Sequence, residues 1–158
     1  MNRTASRSVA GCDLRALSED ERLRLAARLS PQQRHVLLAR GTERPFCGHL
    51  LDNHRAGRYA CALCGLPLFS SADKFDSGSG WPSFTRPLDP EHLRRLRASS
   101  HGMVRVEIRC ARCDGHLGHV FPDGPAPGFE RHCLNSEALE FFDEGTEPPQ
   151  HVAGDLHP

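Results

Sequence analysis

The sequence lacks long hydrophobic runs, an excess of charge of either sign, and internal repeats. No apolar stretch approaches the roughly 20 residues that a membrane span requires. The 20 Lys and Arg residues balance 20 Asp and Glu residues, without a basic stripe, which argues against binding to nucleic acid or to a membrane surface. The first residues are polar and lack the apolar core of a signal peptide, so we expect a cytoplasmic protein.

The 158 residues suffice for one domain with short appendages. Residues 1–13 are expected to form a disordered tail. Two capping signals follow, at Ser18 and at Ser30, and each predicts the start of a helix. The second helix is expected to end at Gly41 in a left-handed cap. We expect this helical pair to buttress the domain that follows.

Beyond residue 41, glycine and proline recur every few residues and the apolar runs are short, which is typical of short antiparallel strands. Residues 103–109 alternate between apolar and charged side chains and predict a half-buried strand. Two more strands are predicted at 117–121 and 129–134, and one or two exposed helical turns at 90–98. The sequence therefore predicts a mainly β fold.

The chain has seven cysteines, an odd number, and in the reducing compartment expected here metal or redox chemistry is favoured over structural disulfides. Four of them form two Cys-x-x-Cys pairs, Cys61 with Cys64 and Cys110 with Cys113. One pair alone is compatible with a redox centre, but two pairs predict a four-thiolate cage for one structural zinc ion. Such a site would staple two distant hairpins. Iron is the chemical alternative.

Cys133 lies in a run in which side chains two residues apart carry different chemistry. On a strand, Phe129, Arg131, Cys133 and Asn135 share one face. A thiol between a cation and an amide donor favours formation of a thiolate. The alternative is a buried cysteine that acts as a small hydrophobe. The pattern therefore makes Cys133 a candidate nucleophile, and both interpretations remain open at this point.

Two other motifs carry candidate chemistry. His116 and His119 follow the second cysteine pair, and a glycine between them lets their rings converge on one pocket; surface histidines are the alternative. Trp81, the only tryptophan, lies in a run rich in glycine and proline that also contains Phe84. Two such rings can hold a small apolar group such as a methyl. A core position for the indole is the alternative.

Several motifs, in this order and spacing, resemble the methionine-R-sulfoxide reductases, the MsrB family. They are CALCG, KFDSGSGWPSF, SHGMVRVE, CARCDGHLGHVFPDGP and RHCLNSEALEF, with a similar flanking segment LSPQQRHVLLARGTERPF. The resemblance implies two antiparallel β-sheets in a barrel-like arrangement, with zinc away from the reaction centre. The match runs from about Leu29 to Phe142, which gives a catalytic domain at 29–143. The flanking residues are expected to form an N-terminal tail and helical extension (1–28) and a flexible C-terminal tail (144–158) that is rich in proline and acidic residues.

The resemblance also implies roles for individual residues. Cys133 would attack the sulfoxide sulfur of a methionine-R-sulfoxide residue and become a sulfenic acid. His119 would protonate the departing oxygen, while His116 and Asn135 would bind that oxygen or a bridging water. Trp81, with Phe84 beside it in the motif, would form the wall that receives the substrate methyl. The residues implied to shape the site electrostatically are Arg131 and Asp123.

The chain departs from the family pattern at one position. Many members carry a second cysteine where this chain has Ser79, and serine cannot form a disulfide. Cys47 is therefore the candidate resolving residue, with thioredoxin as the reductant of the disulfide. Direct reduction by a thiol, or resolution by Cys12, are the alternatives. We expect a monomer that acts on oxidised proteins or peptides; the rival interpretation is a non-catalytic, zinc-stapled β binding module with an aromatic pocket.

Overall fold

The computed structural model describes residues 8–9, 11–100 and 102–146. Within them the chain is mainly β, as predicted, with the two helices α1 (Glu19–Ala26) and α2 (Pro31–Ala39) before the strands. Neither helix has the length and apolar character to cross a membrane. The strands are β1 (Gly57–Cys61), β2 (Pro67–Ser70), β3 (Lys74–Phe75), β4 (Ser83–Phe84), β5 (Leu93–Ser100), β6 (Met103–Cys110), β7 (His116–Phe121), β8 (Arg131–Leu134) and β9 (Leu139–Asp143).

The strands form two antiparallel sheets, which confirms the predicted fold class. One sheet has the order β2-β1-β9 and the other the order β3-β4-β8-β7-β6-β5. Rings from both sheets meet in the core: Phe69 of β2 stacks on Phe84 of β4 with 4.4 Å between ring centroids, and Tyr59 of β1 meets Phe84 edge-on at 5.1 Å. All three side chains are fully buried, so these aromatic contacts join the two sheets.

Both predicted helix starts are confirmed. Ser18 and Ser30 each accept a hydrogen bond of 3.1 Å from the backbone N–H three residues on, and both helices begin with a complete capping box. The end of α2 differs from the prediction, because Arg40 rather than Gly41 adopts the left-handed conformation, at φ 60°. Gly41 serves close packing instead, since a Cβ there would lie 2.1 Å from the ring of His35.

The prediction of helical turns at 90–98 is wrong for most of that segment. A single 3₁₀ turn at Pro90–His92 is capped by the Asp89 side chain, and the chain then continues as β5. β5 pairs with β6 from Leu93 opposite Cys110 to Ser100 opposite Met103. These long-range backbone hydrogen bonds override the local helical preference of a segment rich in arginine and leucine.

The prediction of a loose N-terminal tail is wrong for the described part of it. Ser8 is 6% exposed, and its hydroxyl lies 2.7 Å from Nε2 of the buried His92. The carbonyl of Asp13 accepts a hydrogen bond of 3.1 Å from the buried guanidinium of Arg112. These contacts fix the segment against the domain. Most of the predicted C-terminal tail, residues 147–158, lies outside the described residues.

Candidate active site and metal site

The four cysteines of the two Cys-x-x-Cys pairs meet at one point. Cys61 and Cys64 lie at the end of β1, and Cys110 and Cys113 at the end of β6. Their sulfur atoms lie within 4.8 Å of one another, with Cys61 Sγ 3.5 Å from Cys113 Sγ and Cys64 Sγ 3.5 Å from Cys110 Sγ. Four thiolates around a tetrahedral ion at 2.3 Å would be separated by about 3.8 Å, so the cluster fits a metal ion.

Tight turns place these sulfur atoms. In the first pair, Gly65 has φ 82° and its N–H donates to Cys61 O at 2.7 Å. In the second pair the left-handed residue is Asp114, at φ 64°, rather than Gly115. Gly115 donates its N–H toward Cys113 Sγ at 3.4 Å, and backbone N–H groups of this kind stabilise a thiolate. Both turns therefore present a sulfur pair to the metal position.

Cys133 lies in a separate cavity of about 280 Å³. The register of β7 and β8 places His119 directly opposite Cys133, so their side chains lie on one face of the sheet. The two backbones approach closely here: a Cβ at Gly118 would lie 2.0 Å from Cys133 O, so only glycine fits at this position. The residues lining the cavity are Thr42, Ser79, Trp81, Arg105, Gly118, His119, Phe121, Arg131, Cys133, Leu134 and Asn135.

The electrostatics at Cys133 favour the thiol in the resting protein. Burial raises the pKa of Cys133 above its ordinary value, although Arg131 and Ser79 act in the opposite direction. Arg131 is held by two hydrogen bonds to Asp123, of 2.9 and 3.2 Å, and its guanidinium lies 4.5 Å from the centroid of the Phe121 ring. The cation predicted from the sequence is present, but its effect is smaller than that of burial.

The two predicted histidines lie together, with ring centroids 5.5 Å apart. His116 is buried and its Nδ1 lies 2.7 Å from Glu107 Oε2, while the described residues offer no hydrogen-bond partner to its Nε2. Burial opposes ionisation of Glu107, yet hydrogen bonds from Arg109 and His116 leave the pKa of Glu107 below its usual value. Burial, and then the neighbouring His116, lower the pKa of His119, so His119 is neutral at neutral pH.

Asn135 and Trp81 are both held by a residue that the sequence analysis did not single out, Glu43. The carboxamide of Asn135 donates to Leu117 O at 3.1 Å and accepts from Glu43 N–H at 3.0 Å. The indole Nε1–H of Trp81 donates to Glu43 O at 3.0 Å. Hydrogen bonds to both side chains therefore orient them toward the cavity that they line.

Some predicted site residues lie elsewhere. Phe84 does not line the cavity; it is fully buried and stacked on Phe69, because its place on β4 directs the ring into the core between the sheets. Cys47 is exposed and is not among the residues that line the cavity. His116 and Asp123 are also absent from the cavity lining; His116 packs against His119, and Asp123 binds Arg131. The contact of Glu107 with His116 was not predicted. The available signal was the position of Glu107 between two arginines in the alternating segment 103–109.

The fold and the two sites define a class of protein, a mainly β domain stapled by a four-cysteine metal site and carrying a separate cysteine opposite a histidine in a small cavity. A family model described as the SelR domain matches residues 29–143. The chain therefore belongs to the SelR domain family, and the resemblance found in its motifs is confirmed.

Curated relatives are similar over nearly the whole chain. A protein named peptide methionine sulfoxide reductase MsrB, from Xylella fastidiosa, is 54% identical over 140 residues, which cover 89% of this chain and 90% of that protein. A protein of the same name from Caulobacter vibrioides is 53% identical over 149 residues, 94% of each chain.

Proposed function

We propose that the protein is a peptide methionine sulfoxide reductase that is specific for the R epimer and uses Cys133 as its nucleophile. The observation that carries the proposal is the placement of the Cys133 thiol opposite His119 in a cavity that Trp81 also lines. Membership of the SelR domain family and the similarity to proteins named MsrB support it. A non-catalytic binding module is not favoured, because such a module needs neither the thiol nor the histidine.

The first step transfers oxygen to Cys133. The Cys133 sulfur attacks the sulfoxide sulfur, and its proton reaches the sulfoxide oxygen by way of His119, which acts first as base and then as acid. The bond between the two sulfur atoms and the substrate S–O bond then break as the hydroxyl passes to the Cys133 sulfur. The products are a thioether and a sulfenic acid on Cys133. The substrate sulfur gains two electrons and the Cys133 sulfur loses two. The pKa of the Cys133 thiol is raised and that of His119 lowered, so both begin in the neutral forms that this transfer requires.

The remaining cavity residues bind and orient the sulfoxide. Trp81 supplies an apolar wall for the methyl group. Asn135 donates one amide hydrogen to Leu117 O, and we assign its second to the sulfoxide oxygen or a water bound to it. His116 does not line the cavity, but its Nε2 has no hydrogen-bond partner among the described residues, and we assign it to the same oxygen or water. Arg131 stabilises the developing thiolate.

Cys47 resolves the sulfenic acid in this proposal. Its thiol attacks the Cys133 sulfur, a disulfide forms, and the hydroxyl leaves as water with the thiol proton. Thioredoxin then reduces the disulfide. Since Cys47 is exposed and outside the cavity, segment 42–47 has to move before the two Cα atoms come within about 7 Å.

The metal site has a structural role in this proposal. The buried four-thiolate donor set suits zinc, which such cages bind in closed tetrahedral geometry. We assign residues 29–143 to the catalytic domain and 1–28 to an N-terminal extension. Its helix α1 is followed by Arg28, which donates to Ala62 O and Leu63 O, at 3.0 and 2.7 Å, in the first metal turn. The protein would act as a monomer in the cytoplasm, where these thiols stay reduced.

Separate R and S epimers of a peptide methionine sulfoxide, with dithiothreitol as reductant, test the function. Wild type is expected to reduce the R epimer at least about 100-fold faster than the S epimer, because the indole wall and the proton donor fix the methyl and the oxygen. Equal turnover of both epimers, or no turnover of either, would contradict the proposal.

Mass mapping after one equivalent of substrate, without reductant, tests Cys47. We expect a Cys47–Cys133 disulfide in wild type and a persistent Cys133 sulfenic acid in Cys47→Ser. A stable sulfenic acid in wild type, with the Cys47 thiol still free, would reject this resolving route while leaving the first step intact.

A further inference from the structure

The segment that precedes Cys47 contacts both sides of the catalytic cavity through Glu43. The backbone N–H of Glu43 donates to Asn135 Oδ1 and its backbone carbonyl accepts from Trp81 Nε1, both at 3.0 Å. Three residues on, Phe46 N–H donates to Gly80 O at 2.7 Å. Segment 42–47 thus holds both Asn135, the proposed ligand of the sulfoxide oxygen, and Trp81, the proposed wall for the methyl group.

The carboxylate of Glu43 anchors this arrangement. Its Oε1 accepts a hydrogen bond of 3.0 Å from Glu137 N–H, at the turn that follows Asn135. Its Oε2 is buried, has no hydrogen-bond partner among the described residues, and lies over Gly48, where a Cβ would come within 2.3 Å of it. A buried carboxylate oxygen without a partner is unfavourable, and this cost offsets part of the stabilisation from the hydrogen bond to Glu137 N–H.

We propose that Glu43 is a positioning residue whose side chain holds segment 42–47 in the position that completes the substrate cavity, and that this hold must be released before Cys47 reaches Cys133. The inference rests on the proposed function. Glu43 touches no reacting atom; it acts through Trp81 and Asn135. The two half-reactions therefore need opposite states of one segment, anchored for sulfoxide reduction and released for disulfide formation.

This arrangement predicts opposite effects on the two steps when the anchor is removed. In Glu43→Ala, KM for the sulfoxide is expected to rise about tenfold, with a single-turnover rate at saturation within about threefold of wild type, because a charge-assisted hydrogen bond that supports binding is lost. Formation of the Cys47–Cys133 disulfide is expected to become about tenfold faster, because the released state is more populated.

The contact between Glu43 and Glu137 offers a control variant and a rescue variant. Glu137→Ala removes a neighbouring carboxylate but keeps the backbone N–H that Glu43 accepts, and it is expected to match wild type in both steps. Glu43→Gln keeps a carbonyl acceptor and is expected to stay within about threefold of wild type. Trp81 is the only tryptophan, so its fluorescence reports the contact directly: acrylamide quenching should increase in Glu43→Ala alone among these three variants.

Wild type supplies a measurement that needs no variant to fold. Once mass mapping has shown the Cys47–Cys133 disulfide, quenching of Trp81 in that form should increase above its level in reduced wild type. Unchanged quenching in the disulfide form, or a Glu43→Ala protein that matches Glu137→Ala in KM, quenching and disulfide rate, would overturn the inference. Absence of sulfoxide reduction by wild type would instead overturn the proposed function.

Discussion

The four-cysteine cluster and the cavity that contains Cys133 place the same side chain in opposite surroundings. At the metal cluster all four cysteines are at most 1% exposed and face one another. In the cavity, Cys133 is half-buried and faces His119, Arg131 and Ser79. Four mutually close sulfur atoms suit a cation and a closed shell, whereas a single accessible sulfur beside a proton acceptor suits attack on a substrate.

The two regions also differ in how the chain builds them. The metal ligands come from two turns, each of which is complete within five residues of sequence. The cavity draws on the 42–47 segment, the loop before β4, and strands β6, β7 and β8. The position of the metal ligands therefore depends on two short turns, whereas the cavity depends on strand register and on contacts such as those of Glu43.

The largest expected effect is on the cavity alone. Cys133→Ser should lower kcat/KM for the R sulfoxide by about 10⁴-fold or more, because the nucleophile is lost. Since Cys133 is half-buried and of similar size to serine, the thermal midpoint and the metal content should stay unchanged. Cys12→Ser is the matched control and should keep full activity. Loss of the metal in Cys133→Ser would show that the two regions are not independent.

The converse change is made at the metal cluster. Cys110→Ser removes one ligand, and we expect loss of the metal together with a loss of more than about 4 kcal/mol in the free energy of unfolding. For a chain of this size that corresponds to a fall of about 10 °C or more in the thermal midpoint. Metal analysis and thermal denaturation provide the check. A variant that loses the metal but keeps its thermal midpoint would show that the metal does not stabilise the fold.

Prediction from the sequence succeeded where the signal is local. The capping boxes at Ser18 and Ser30, the cysteine pairs and the alternation of β6 each fix structure within a few residues. It failed where long-range contacts decide: β6 pairs with 93–100 and makes it a strand, and His92 binds Ser8 and orders the expected tail. The motif residues Trp81, His119, Arg131, Cys133 and Asn135 line the cavity, whereas Phe84 lies in the core. The hydrogen bonds of Glu43, which join segments 38 and 92 residues apart, were not predicted.

A smaller effect is expected from pH. Burial lowers the pKa of both His119 and His132 in the folded state, so the unfolded chain binds protons first as pH falls below the ordinary value of about 6.5. Folding stability from these two groups is fully present above that pH and is lost as pH falls toward the lower folded values. Urea unfolding between pH 7.5 and 5 should show this decline, and His119→Asn should make it less steep; an identical slope in that variant would contradict the burial effect.

The smallest effect concerns the thiol itself. Ser79→Ala removes one of the groups that lower the pKa of Cys133. The midpoint pH of Cys133 alkylation should therefore rise, and the alkylation rate of Cys133 at pH 8 should fall by about threefold. Iodoacetamide labelling with mass mapping follows each cysteine separately, and Cys47 in the same sample serves as the internal control. Faster labelling of Cys133 in this variant would show that Ser79 shields the sulfur rather than stabilising the thiolate.

In the proposed reaction the Cys133 sulfur accepts the oxygen, and the metal-site sulfur atoms take no part. One measurement addresses both: a single turnover of Cys47→Ser with the R sulfoxide and no reductant, followed by quantification of methionine and of each oxidised cysteine. We expect one methionine per chain, a sulfenic acid on Cys133, and full retention of the metal. Methionine formed with Cys133 still reduced, or with oxidation at the four-cysteine cluster instead, would contradict the account.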